Sequence, residues 1–69
     1  MLNAELLRAW LKTNRYSISS FASAMQLSVP TMARKLSGAS DFKVGEIDKV
    51  RELLGLTDQE IVLIFFSKK

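Results

Sequence analysis

The side chains available for chemistry in this 69-residue chain are mainly basic groups and hydroxyls, because it contains neither cysteine nor histidine. The commonest general base and the commonest ligands for transition metals are therefore missing. The carboxylates of Glu46, Asp48 and Glu52 could serve acid–base catalysis. In so short a chain, without a glycine-rich loop, we interpret them as a solvated helix face. We expect no enzymatic activity, no cofactor and no metal site.

Basic residues are concentrated in the first two thirds of the chain. Residues 1–43 contain six Lys or Arg and two Asp or Glu, a balance of +4, whereas residues 44–69 carry −1. A positive surface of this kind would meet a polyanion. An ordinary soluble surface is the alternative interpretation of the charges.

The elements that must position these groups are predicted to be helices, because apolar residues recur mostly at helical spacing. Asn3, Ser17 and Ser28 are suited to N-caps, and Thr57 with Glu60 forms a capping box. Gly38 and Gly55 are suited to helix ends. We therefore predict an all-α fold of five helices in a single domain, residues 1–69. The expected helices cover residues 3–13, 17–26, 29–37, 43–54 and 58–66.

The predicted core follows from the apolar stripes. Trp10 is expected to anchor the first helix in the core, and Phe42 to reach back into it from a loop. The fourth helix is expected to bury its apolar residues, which are Val44, Ile47, Val50, Leu53 and Leu54.

The segment 17–38 has the pattern of a helix-turn-helix. A small residue, Ala22, stands where two steeply crossing helices would touch. An apolar wedge would then hold the second helix out as a separate rod; its members are Phe21, Leu27, Met32 and Leu36. A protruding helix of this kind fits the major groove of DNA.

Residues 21–28 (FASAMQLS) and 31–38 (TMARKLSG) resemble the helix-turn-helix of the phage Cro and repressor family. The segment 53–57 (LLGLT) and the apolar end at 64–66 are similar to small regulators of Gram-positive phages. The resemblance implies a five-helix transcription regulator that binds double-stranded operator DNA, usually as a homodimer.

The resemblance also implies roles for individual residues. The base-reading positions fall on Val29, Pro30 and Arg34, of which Arg34 can form a bidentate pair with guanine. The positions placed to hold phosphates are Ser17, Ser19, Thr31, Lys35, Ser37 and Lys43.

A different class of function remains open, because the beginnings of the second and third helices are apolar. Ile18, Val29 and Pro30 could form a contact face for a protein. The chain would then be a modulator that keeps the helix-turn-helix fold but binds a partner phage repressor. A component of a toxin–antitoxin pair is a third possibility.

The final apolar run, residues 61–66, is wider than one core-facing stripe. Ile61, Ile64 and Phe65 share a side and can be buried. The other three, Val62, Leu63 and Phe66, are expected to form a partner interface, with a second copy as the obvious partner. The alternative is an extended segment folded over the core.

No targeting segment is expected. Residues 1–5 lack the basic and then apolar pattern of a signal peptide, and the run 61–66 is too short to cross a bilayer. We expect a cytoplasmic protein of a bacterial host.

Overall fold

The computed structural model describes residues 2–66, which form an all-α fold of five helices. Their order confirms the predicted fold class, and each boundary lies within two residues of its prediction. The helices are α1 (Ala4–Thr13), α2 (Ile18–Ala24), α3 (Val29–Ser37), α4 (Val44–Leu54) and α5 (Asp58–Phe65).

Side-chain caps fix where the helices begin. The Asn3 Oδ1 accepts a hydrogen bond from the Leu6 N–H at 3.0 Å, ahead of α1. At α5, the Thr57 hydroxyl accepts from the Glu60 N–H at 3.2 Å, and the Glu60 carboxylate accepts from the Thr57 N–H at 2.8 Å. Because these bonds satisfy amides that have no partner inside the helix, the sequence signals and the observed starts coincide.

Glycines in left-handed conformation end α3 and α4. Gly38 has φ of +87° and Gly55 has φ of +64°. Side chains with a Cβ are strained in this region, so both positions favour glycine and confirm the predicted helix ends.

The core lies where α1 packs on α3 and α5, α2 packs on α3, and α4 packs on α5. Phe42 reaches this core as predicted, half-buried, with its ring edge-to-face against Phe65 at 5.2 Å between centroids. Trp10 is also half-buried and packs against the core. The side chains buried most completely are Leu7, Phe21, Met32, Leu36, Val50 and Ile64.

The expected burial of Val44 is wrong, because 79% of this residue is exposed. At 3.6 residues per turn, Val44 points roughly 100° away from the mean direction of Val50 and Leu54, which are the buried residues of α4. Val44 therefore stands beside the buried stripe rather than within it. Ile47 and Leu53 flank the stripe and are partly buried.

The apolar run after Thr57 is helical, so the extended alternative for it is wrong. The helix α5 continues through Phe65, and the Phe66 N–H donates to the Val62 carbonyl at 2.9 Å. The segment before α1 is hydrogen-bonded to the C-terminal part of α5, because the Asn3 N–H donates to the Ile64 carbonyl at 2.6 Å. Across residues 2–66, no helix has the length and apolar character needed to span a bilayer.

Candidate nucleic-acid interface

A tight turn joins α2 to α3 and sets their relative placement. Gln26 has φ of +60°, an unusual left-handed value for a residue with a side chain. The Leu27 N–H then donates to the Ala22 carbonyl at 2.9 Å. Ala22 is only 1% exposed, as expected for the small residue between the two helices. This arrangement is consistent with a helix-turn-helix.

The helix α3 has a buried side and an exposed side. Met32, Lys35 and Leu36 are buried against the rest of the molecule. The three residues predicted to read bases, Val29, Pro30 and Arg34, are all exposed. Pro30 and Arg34 are one helical turn apart and so share a face. The structure thus leaves all three base-reading candidates accessible and places Pro30 and Arg34 on one face of α3, from which Val29 points roughly 100° away.

The predicted phosphate contact of Lys35 is wrong, because its ammonium group faces inward. The Nζ lies 2.9 Å from the Glu46 carboxylate and donates to the Asp41 carbonyl at 2.9 Å. It also stands 5.8 Å from the centre of the Phe42 ring. With 6% of the residue exposed, Lys35 joins α3 to the following loop and to α4. Its charge is neutralised within the fold.

Glu46 is the ion-pair partner of Lys35. Desolvation by burial opposes its ionisation and by itself would raise its pKa. The Lys43 N–H, which donates to its Oε1 at 2.9 Å, and the Lys35 ammonium outweigh that effect. The net result is a lowered pKa for Glu46, so the carboxylate is charged at neutral pH.

The remaining phosphate candidates differ in accessibility. Ser17, Ser19, Ser37 and Lys43 are exposed, whereas Thr31 is half-buried. Some of their hydroxyl groups already have local partners. Ser17 caps α2 through the Ser20 N–H at 3.0 Å, and the Ser37 hydroxyl donates to the Arg34 carbonyl at 3.0 Å.

Three basic residues before α2 had no individual role in the sequence-based prediction. Arg8 and Lys12 lie one turn apart on α1, Arg15 lies in the turn before α2, and all three are exposed. The ion pairs formed within residues 2–66 are Lys35–Glu46 and Arg51–Asp58, so none of the three is neutralised there. The sequence signal for them is the absence of Asp and Glu between residues 6 and 40.

The end of α5 presents a separate apolar surface. Val62, Leu63 and Phe66 are 52%, 53% and 58% exposed, which confirms the predicted exposure of this cluster. Phe66 also lines an open groove of about 580 Å³, together with Leu2, Phe42 and Ile47. That a partner covers this surface stays a prediction.

No protein-family model matches the chain, and no curated protein matches it significantly.

Proposed function

We propose that this chain is a DNA-binding transcription regulator of the Cro and repressor type, which inserts α3 into the major groove of an operator. The observation that carries the proposal is the position of Arg34. It is exposed on α3 and forms no ion pair within residues 2–66, and no Asp or Glu occurs between residues 6 and 40. An exposed guanidinium that no carboxylate of residues 2–66 neutralises can pair with guanine N7 and O6.

In this mechanism base recognition and backbone binding are separate. Arg34 supplies base discrimination, and exposed groups around α3 bind phosphates and set the register on the duplex. Ser17, Ser19, Ser37 and Lys43 remain candidates for phosphate contacts. Arg8, Lys12 and Arg15 add positive charge on α1 and in the turn before α2. Each neutralised phosphate is expected to add about −0.9 to the slope of log K against log salt.

The proposal is tested by selecting duplexes from a random library and then measuring mobility shifts. Arg34→Ala should reduce discrimination at one base pair by about 1–3 kcal/mol. Arg34→Lys should keep most of the non-specific affinity but lose the same preference, because lysine lacks the bidentate geometry.

Lys49→Ala is the matched control, since Lys49 is an exposed cation on α4. It should retain the selected preference. Failure to select any duplex, or an unchanged preference in Arg34→Ala, would contradict the proposal.

A second candidate function, binding to a partner repressor, is favoured by two exposed apolar residues. Ile18 and Val29 are 40% and 41% exposed at the starts of α2 and α3. In this case the chain would dissociate a partner repressor from that repressor's own operator, without a selected site of its own. Ile18→Ser with Val29→Ser would abolish that effect, and the same mobility-shift assay decides between the two functions.

A further inference from the structure

The exposed side chains in the first turn of α3 are apolar, and the hydroxyl groups of Ser28 and Thr31 beside them are bonded locally. The Ser28 hydroxyl accepts from the Thr31 N–H at 3.3 Å and donates to the Thr31 Oγ1 at 2.8 Å. Val29 is 41% exposed, and Pro30 is exposed and has no N–H. A ligand that approaches this turn therefore meets a valine and a proline ring.

The Arg34 guanidinium lies next to the same turn. Its Nη2 donates to the Thr31 Oγ1 at 3.5 Å, so the side chain extends back along α3 towards the helix start. Pro30 and Arg34 also share a face. The Pro30 ring and the guanidinium are thus presented on one face of α3, with Val29 exposed beside Pro30 in the first turn.

The major-groove edge of a base pair offers one apolar group, the methyl on C5 of thymine. The same methyl is present at the same ring position in 5-methylcytosine. Valine and proline side chains cannot distinguish the O4 of thymine from the N4 amino group of cytosine, because they neither donate nor accept hydrogen bonds. Their preference can depend only on whether the methyl is present.

We infer that Val29 and Pro30 read the C5 methyl of a pyrimidine adjoining the guanine bound by Arg34, and that thymine and 5-methylcytosine are equivalent to them. The inference rests on the proposed binding of duplex DNA through α3. It makes α3 a sensor of pyrimidine methylation as well as of base sequence.

The experiment uses the full chain and a duplex that it selects from a random library. At each pyrimidine beside the guanine, four duplexes carry thymine, deoxyuridine, cytosine or 5-methylcytosine, with the complementary base matched. One pyrimidine position should show an affinity about fourfold higher for each methylated base than for its unmethylated counterpart, the factor expected for burying one methyl group. Val29→Ala should reduce this ratio, whereas Val44→Ala, which truncates an exposed valine on α4, should not.

The outcomes separate the inference from the function on which it rests. Equal affinity for thymine and deoxyuridine at every position overturns the inference while DNA binding stands. Loss of affinity with deoxyuridine but no gain from 5-methylcytosine over cytosine also overturns it, because the methyl is then read only in thymine and the two methylated bases are not equivalent. If the chain selects no duplex from the library, the proposed function and the inference are both overturned. The duplex series needs no variant, so it decides the matter even if Val29→Ala lowers stability.

Discussion

Arg34 and Lys35 are adjacent in sequence but occupy opposite environments. Lys35 falls on the buried side of α3 with Met32 and Leu36, and its ammonium is paired with Glu46. Arg34 falls on the exposed side. Only Arg34 is therefore available to a ligand, while the neighbouring charge holds α3 to α4.

The burial of Lys35 could not be predicted from its type or local spacing. Lysine is rarely buried unless it is paired, and its partner Glu46 lies on another helix. From the sequence, Glu46 is expected to belong to a solvated face with Asp48 and Glu52. Those two residues are exposed, whereas Glu46 is partly buried.

The Lys35–Glu46 pair predicts a specific loss of stability in acid. Because the pKa of Glu46 is lowered in the fold, the ionised carboxylate contributes to stability above the unfolded-state pKa of about 4.3. This contribution is lost as the pH falls through the folded value. Glu46→Gln should reduce the free energy of unfolding at neutral pH by about 1–3 kcal/mol. The deficit relative to wild type should shrink as the pH falls below that range.

Urea denaturation between pH 3 and pH 7 measures this difference (about 25 °C, constant ionic strength). Glu52→Gln is the control, because Glu52 is an exposed acid on the same helix. If both variants show the same stability and the same pH profile, the ion pair does not stabilise the fold.

The helix boundaries were the features that the sequence predicted best, because hydrogen bonds and backbone conformations close by in the chain determine them. Caps such as Asn3 and Thr57, and the left-handed Gly38 and Gly55, act within one or two turns of the chain. The direction of individual side chains depends on neighbouring helices, and Val44 illustrates the resulting error. For the candidate site, the family resemblance selected Val29, Pro30 and Arg34, all of which are exposed, but neither it nor helical spacing predicted the inward orientation of Lys35.

The apolar surface of α5 predicts self-association. If Val62, Leu63 and Phe66 contact a second copy, the chain should form a dimer in analytical ultracentrifugation as its concentration rises. The double variant Val62→Ser and Leu63→Ser should weaken that dimer roughly tenfold or more, because both side chains lose apolar area that the contact would bury.

Val44→Ser provides the comparison, since Val44 is a still more exposed valine on α4. It should leave the association unchanged. A chain that stays monomeric at every concentration, or a dimer weakened equally by Val44→Ser, would contradict a specific α5 interface.

At the scale of the whole molecule, basic and acidic residues are concentrated in different parts of the chain. Arg8, Lys12, Arg15 and Arg34 are exposed in the stretch that has no acidic residue, whereas α4 and α5 contain five acidic and two basic residues. The molecule is small, with extents of 27 × 24 × 21 Å. A polyanion is therefore expected to contact the exposed basic residues of α1, of the turn before α2 and of α3 rather than the apolar end of α5.

The most direct test is an NMR titration of the ¹⁵N-labelled chain with duplex DNA at low salt, under which even non-specific binding is strong. We expect the largest amide shifts at Val29, Thr31 and Arg34 and at the start of α2, with Val62 and Leu63 little changed. Shifts confined to α4 and α5, or no shifts at millimolar duplex, would contradict DNA binding through α3.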